Sequence, residues 1–405
     1  MARMGNSLIL RFGVVGLGRA ATSMLPSLVH HPQVKITAAA DLRRDALDKF
    51  RSEFGAEVYE NAEELFRNKN VDAVYIATPH QCHAEHVKMA AACGKHAIVE
   101  KPMALTLEDC DSMIAAVERA GIKLLVGHTH SFDPPILKIR EIVRGGELGK
   151  LGMIHTWRFT NFLYRPRRPE ELDTRLGGGI IFNQVPHQVD MVRWIGGGLV
   201  RSVRSMTGIW DPSRPTEGSH TTYLEFVDGA AATLVYNAYD HFDSDQFNDW
   251  TGEGGERKRS DRHGEARRML KEAKSSQEEV AMKASTGYGG RQQRRAAFSP
   301  GEGERYHPHF GVTVISCERG DLRPAPNGVV IYDDNGKRDV PLPLGRAIPD
   351  KGKVIDELYD AIVNDRPVYH NGRWGKATLE ACLAIMKSAR ERQEVFLAHQ
   401  VDVGD

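Results

Sequence analysis

The feature that most constrains this chain is the run Leu8-Ile9-Leu10-Arg11-Phe12-Gly13-Val14-Val15, which leads without a break into Gly16-Leu17-Gly18-Arg19-Ala20-Ala21. The apolar run reads as a buried strand, and the glycines that follow permit a tight turn. Behind them Ala21, Met24, Leu25 and Leu28 keep helical spacing. Strand, glycine turn and helix in this order aim the free N–H groups of a helix start at a phosphate. Gly16, Gly18, Arg19 and Ala20 are therefore candidate pyrophosphate contacts of a dinucleotide. The next apolar run, Val34 to Ala40, ends in Asp41, 23 positions after Gly18, where an acidic residue would accept hydrogen bonds from a ribose. A carboxylate there repels a 2′-phosphate and favours NAD, while Arg43 and Arg44 keep NADP open.

The alternation continues with an apolar run at Ala73-Val74-Tyr75-Ile76-Ala77, a helical pattern from His83 to Ala92, and a second run, Ala97-Ile98-Val99, ending in Glu100-Lys101-Pro102. Such βαβ repetition predicts an α/β fold with a parallel sheet covered by helices. Thr106 opens a capped helix carrying Met113, Ile114 and Val117, and Lys123 to Val126 returns as a strand, which completes a cofactor domain over residues 8–130. In such sheets ligands meet the carboxyl ends of the strands. Thr78, Pro79, His80, His83, Glu100 and Lys101 are therefore expected at the cofactor, with Lys101 at the strand's mouth because Pro102 cannot extend the ladder. His80, His83 and His86 are three apart, but residues six apart on a helix diverge by about 120°. No metal is expected.

Beyond Gly127 the character of the chain changes. Gly127 to Pro134 is a crossover that carries His128 and His130, both candidate substrate contacts, and Ile136 to Val143 is helical up to Gly145-Gly146. Met153 to Phe162, Thr221 to Val227, Ala230 to Tyr236, Phe310 to Ser316 and Val329 to Tyr332 read as strands, with hairpin turns at Asp228-Gly229 and Asn335-Gly336. A mostly antiparallel sheet over residues 131–372 is the expectation. Val354, Leu358 and Ile362, then Leu379, Leu383 and Met386, mark helical faces, and residues 373–400 should pack back as a C-terminal helix. The stretch from Glu253 to Arg305 is charged and poor in large apolar residues, so it reads as a surface excursion holding one helix near Ala266 to Lys283, which can be shortened without loss of the core.

Two clusters in this half carry chemistry. The glycines at 177–179 lead into Asn183, Gln184, His187 and Asp190, and residues four apart share a helix face. Set beside Lys101, His187 and Asn183 supply an ammonium, an imidazole and an amide, the groups a nicotinamide-dependent alcohol oxidation needs for proton transfer. Gln184 joins the substrate side. Upstream, Tyr164-Arg165-Pro166-Arg167-Arg168-Pro169, followed by Arg175, presents forked cations that suit a carboxylate-bearing small molecule; an oligomer interface is the alternative use.

Composition narrows the partners. With 54 basic and 54 acidic residues the formal charge is zero, which gives no reason to expect nucleic acid. The five cysteines are scattered without a Cys-x-x-Cys pair, so neither a disulfide scaffold nor a zinc knuckle is indicated. No run reaches the ~20 apolar residues of a membrane span, and no signal-peptide core opens the chain. A cytoplasmic location is expected.

With these residues in view, the chain resembles the Gfo/Idh/MocA oxidoreductases. The likeness rests on the Gly16-x-Gly18-x-x-Ala21 turn, Ala77-Thr78-Pro79 with His83, Glu100-Lys101-Pro102, the Gly145-Gly146-Glu147-Leu148-Gly149 turn and the Asn183/His187 segment, in the family's order. It implies a Rossmann NAD-binding domain, an open-faced and mostly antiparallel sheet as substrate domain and homo-oligomer interface (dimer or tetramer), and hydride transfer with Lys101 near the reacting carbinol. The family usually carries Asp where this chain has Asn183, and an amide cannot take up a proton. The segment Asn183 to Gln188, Tyr239 to Asp245 and His307 to Gly311 resemble the branch containing phthalate 4,5-cis-dihydrodiol dehydrogenase. That likeness implies oxidation of an aromatic-acid dihydrodiol; a sugar or cyclic polyol dehydrogenase, and a non-catalytic NAD-binding regulator, are the alternatives.

Overall fold

The computed structural model describes residues 8–273, 275–291, 305–345 and 350–403. Six strands build the first sheet: β1 (Leu10–Val15), β2 (Val34–Ala40), β3 (Glu57–Tyr59), β4 (Ala73–Ile76), β5 (His96–Glu100) and β6 (Leu124–Gly127). Their order is β3-β2-β1-β4-β5-β6, and every pair is parallel. All residues of β4 and β6 are buried, as a sheet sandwiched between helices requires. The order reverses between β1 and β4, which opens a crevice at the carboxyl ends of the strands. Thr106 caps the helix Leu107–Ala120 as the sequence predicts, accepting from the Asp109 N–H at 3.1 Å. β3 was not expected; three residues are too short to show an alternation.

The second sheet holds β7 (Leu151–Phe159), β8 (Val200–Gly208), β9 (Ser219–Phe226), β10 (Ala231–Asn237), β11 (Val312–Cys317), β12 (Gly320–Ala325), β13 (Gly328–Asp333), β14 (Gly336–Pro341) and β15 (Val395–Phe396). The order is β14-β13-β12-β11-β7-β10-β9-β8-β15, antiparallel except where β7 meets β10. Along β10 burial alternates residue by residue, so Ala232, Leu234 and Tyr236 enter the core while their neighbours stay half-exposed. The strand expected to run to Phe162 stops at Phe159, because Phe162–Tyr164 turns into a short 3-10 segment and is itself buried.

Two segments depart from the sequence layout by returning to the first sheet. The helix Gly352–Val363 inserts Val354, Ile355 and Leu358 into the core that contains Phe12 and Leu28. Tyr359 Oη fixes it by donating to the Leu8 carbonyl at 2.9 Å. The charged excursion does the same. Its described residues form two helices, Glu265–Leu270 and Ser276–Thr286, where the sequence suggested one. Tyr288 beyond them is fully buried, with its ring 5.5 Å from Phe50 and its hydroxyl on Glu53. The excursion is therefore docked at its far end; residues 274 and 292–304 of it lie outside the described residues. The long helix Gly372–Glu391 spans the two sheets, burying Trp374, Leu379 and Ile385 in one continuous cluster that includes both Val126 and Leu224.

Candidate active site

Backbone geometry builds the cofactor side. Gly16 has φ +88°, and a Cβ there would stand 2.7 Å from the Ala77 carbonyl oxygen, so the turn admits only glycine. Gly18 caps the helix Arg19–His30 without a side-chain hydrogen bond, and a Cβ on it would meet nothing within 4 Å. An open space at uncapped helical N–H groups is what a pyrophosphate requires, so Gly16, Gly18, Arg19 and Ala20 fit a dinucleotide. Asp41, at the end of β2, accepts from the Leu17 N–H at 2.6 Å and from the Arg43 Nε at 3.1 Å. Arg43 reaches on to the carbonyls of Leu17 (2.8 Å) and Tyr288 (3.2 Å). The carboxylate is thus paired with Arg43, while Arg44, the other arginine named for a 2′-phosphate, turns to Glu60 and Asp48, and the docked excursion borders this corner.

At the ends of β4 and β5 the expected residues take different parts. Thr78, Pro79 and His80 form the rim, with Thr78 and His80 half-buried. His83 is fully buried instead of facing a ligand, and its two ring nitrogens lie 2.9 Å from the Pro102 carbonyl and 3.0 Å from that of Thr78. It ties the two rims together. Glu100 is buried and accepts from Tyr75 Oη at 2.5 Å, so it too sits behind the rim. Lys101 follows directly, joined to Pro102 by a cis bond, and its Nζ donates to the Asn183 backbone carbonyl at 2.5 Å. Burial brings its pKa down to about 8, against the opposing pull of Glu100 and Glu253.

The glycine loop brings the second half of the chain against this rim. A Cβ on Gly177, which has φ +83°, would lie 3.0 Å from His80 Nδ1 and 2.7 Å from Leu105 Cδ2. The amide expected to orient the catalytic pair points elsewhere: Asn183 Nδ2 donates to the carbonyls of Gly177 (3.0 Å) and Gly179 (2.8 Å), and only its backbone oxygen meets Lys101. Gln184 is buried, donating to that same oxygen at 3.0 Å and accepting from Tyr236 Oη at 2.9 Å. His187 lies on the helix Val185–Ile195, with Nδ1 sealed and unpartnered among the described residues. Burial, then the charge of Lys101, hold its pKa well below the usual imidazole value, so the ring is neutral.

Beside His187 stands a row of charges that the sequence reading did not anticipate beyond His130. The His130 ring is 4.9 Å from that of His187 and 4.7 Å from Phe310. Its Nδ1 bonds Asp133 at 2.7 Å, and its Nε2 is 3.6 Å from Glu253 Oε1. Glu253 in turn accepts from Arg158 Nη2 at 2.9 Å, and the Arg158 guanidinium lies 4.5 Å over the Phe310 ring. These carboxylates outweigh burial and raise the His130 pKa. The sole sequence signal for Glu253 is a lone carboxylate among glycines, Thr251-Gly252-Glu253-Gly254-Gly255.

The remaining candidates separate. His128 is 1 % exposed, with both ring nitrogens unpartnered among the described residues, so it lies behind the site. Arg175 is exposed and forked onto Asp173 at 2.7 Å, away from the site. Arg168 pairs with Glu170 and Glu171 at 3.2 and 3.4 Å, and buried Arg167 donates to the Phe162 carbonyl at 2.6 Å while stacking on that ring. These three are committed to structure. Arg165 uses Nε on Asn161 Oδ1 at 2.8 Å and lies close enough to Glu253 to help hold that carboxyl well below its usual range.

Comparison with known proteins agrees with this architecture. Residues 10–128 match the oxidoreductase family model described as an NAD-binding Rossmann fold, and residues 136–256 match the Gfo/Idh/MocA C-terminal domain. The chain is 41 % identical over 384 residues, 94 % of its length and 95 % of the relative's, to 1-carboxy-3-chloro-3,4-dihydroxycyclohexa-1,5-diene dehydrogenase of Comamonas testosteroni. A solved structure from Bordetella bronchiseptica RB50, described as a dehydrogenase, superposes with TM-score 0.90 at 45 % identity, covering 96 % of this chain and 100 % of that one. Levoglucosan dehydrogenase, solved with NADH and levoglucosan, shares the fold at TM-score 0.72 and 17 % identity over 96 % and 99 % of the two chains. No described helix is long and apolar enough to cross a membrane. The glycine turn, the lysine at the strand's mouth and these full-length similarities make the chain a member of the Gfo/Idh/MocA family of NAD-dependent oxidoreductases.

Proposed function

We propose that this protein oxidises a cis-dihydrodiol of an aromatic carboxylic acid to the catechol. The observation that carries the reading is the meeting of Lys101 with the Asn183–His187 segment at the mouth of β5, in a chain 41 % identical to a dihydrodiol dehydrogenase. The Lys101 ammonium, fixed by the Asn183 carbonyl, donates to the carbinol oxygen and makes its proton easier to lose. Neutral His187 accepts that proton through Nε2, the ring nitrogen that is not sealed. NAD, held by Gly16, Gly18, Arg19, Ala20 and Asp41, supplies the hydride acceptor. Loss of two hydrogens from the ring leaves an enone that tautomerises to the aromatic diol, so the reaction runs one way. Arg165 is the fork for the substrate carboxylate, because Arg167, Arg168 and Arg175 are engaged elsewhere.

The phthalate 4,5-cis-dihydrodiol of the sequence reading carries two carboxylates, and of the four arginines only Arg165 is left for them. Following NADH formation with cis-dihydrodiols bearing two, one or no carboxylates, beside inositol and glucose, tests the reading. A carboxylated diol should be turned over best. Preference for the uncarboxylated diol or a sugar would remove the arginine argument and leave family membership alone. The same reading includes a homo-oligomer formed through the open face of the second sheet, where Met153, Met206 and Tyr223 are exposed; a monomer by sedimentation would overturn that part.

A further inference from the structure

When neutral His187 takes the hydroxyl proton it becomes an imidazolium beside the Lys101 ammonium, and two adjacent cations in a largely buried site need a counter-charge. Four nearby carboxylates are candidates. Glu100 is bound by Tyr75 Oη, Asp133 by His130 Nδ1, and Asp190 by Trp374 Nε1 at 2.6 Å. Each is buried behind the ring or strand it serves. Asn183, which ends the short helix before that of His187, offers an amide turned to Gly177 and Gly179. Glu253 differs from all of these. Its side chain is 35 % exposed, so it faces the open part of the site. Arg158 holds it from one side, and the His309 N–H donates to its backbone carbonyl at 3.3 Å. Its nearest ring neighbour, His130, packs edge-on against His187.

We infer that Glu253, reaching in from the charged excursion, is the positioning carboxylate of this active site, the fixed counter-charge that keeps Lys101 protonated and receives the imidazolium formed on His187. The inference rests on the Lys101–His187 reading given above. The balance of the step is simple: the O–H bond of the substrate breaks, its proton passes to His187 Nε2, and the hydride leaves the carbinol carbon for NAD. Glu253 exchanges no proton and stays ionised, because Arg158 and His130 hold its carboxyl well below the usual range. Lys101 feels the charges of Glu100, Glu253, Lys351 and Arg167 and is coupled to the imidazoles of His80, His128 and His187, while His187 feels Lys101, His130, Glu253 and His128. Glu253 is the single residue in both sets that stabilises a positive charge.

The test uses the full-length protein with NAD and the carboxylated diol turned over best in the panel. Glu253→Gln should lower kcat about 10- to 100-fold with KM for NAD unchanged. It should also move the alkaline limb of kcat, set by Lys101 near pH 8, to lower pH. Glu253→Asp, which keeps the charge, should keep the limb in place. Should Glu253→Gln fail to fold with Arg158 left unpaired, Arg158→Met with Glu253→Gln removes both charges and should shift the limb in the same direction. An unmoved limb in a folded Glu253→Gln or double variant overturns the inference. If Lys101→Ala and His187→Ala themselves retain wild-type turnover, the reading beneath it falls instead.

Discussion

The two walls of the active-site crevice are held by different forces. On the cofactor wall the groups proposed to hold NAD are backbone N–H groups at a glycine turn and a helix start, with the Asp41 carboxylate as the main side chain. On the substrate wall they are side chains: Lys101 on the Asn183 carbonyl, His187 against His130, and Glu253 on Arg158. A wall made of backbone is set once its turn is set. A wall made of buried ionisable groups is set by mutual electrostatics, so pH and single charge changes should reach it. On the function proposed above the first wall binds and the second reacts, a separation that would let binding and turnover be perturbed one at a time.

The largest effect should come from the reacting wall. Lys101→Ala should lose ~10²–10⁴ in kcat while binding NAD normally by fluorescence, and near-normal turnover would remove Lys101 from the chemistry. In the wild type, kcat should fall as pH rises through about 8, since Lys101 then gives up the proton it donates. His187, with its pKa held well below 6.5, is already neutral and should add no loss as pH falls toward that value. A rate that rises through pH 8 would mean that Lys101 is the base.

The cofactor wall should respond through stability. Tyr288→Ala empties a site that is 0 % exposed against Phe50 and Phe54, so a loss of about 3 kcal/mol is expected in denaturant unfolding. Against the sequence expectation that the excursion can be shortened without loss of the core, deleting residues 265–291 should destabilise the nucleotide half, and an unchanged melting transition would show that the docking is dispensable. The smallest effect separates the arginines. Arg165→Ala should raise KM for a carboxylated diol about tenfold, one good charge-assisted contact. Arg175→Ala should leave kcat/KM unchanged, and equal effects of the two would show that the loop acts as a whole.

Much of the cofactor wall was legible from residue order. Strand, glycine turn and helix are contiguous, and the steric demand on Gly16 is met by atoms whose positions the sheet order already dictates. Lys101 was legible for a related reason: Pro102 ends the strand, and the end of a parallel strand is where ligands meet the sheet. The position of His187 beside the glycine loop was legible, but the direction of the Asn183 amide was not, because the helix breaks at Gln184 between them and turns the amide back to Gly177 and Gly179.

Other features were decided only in three dimensions. Arg158 and Glu253 are 95 residues apart, and neither has a local pattern that announces the other. The excursion looked solvated because its charges outnumber its apolar residues, yet Glu253 docks on Arg158, Glu279 on buried Arg214 and Tyr288 on Phe50. The arginine-rich loop looked like a carboxylate clamp, and packing spent three of its four forks on Glu170, Glu171, Asp173 and the Phe162 carbonyl. The sequence by itself determined the parallel sheet, the nucleotide turn and the place of the lysine, because backbone sterics and strand periodicity act between neighbours in the chain. Which charges face one another was left to the tertiary structure, since Coulomb interactions become strong and selective only after packing has removed the water between their partners.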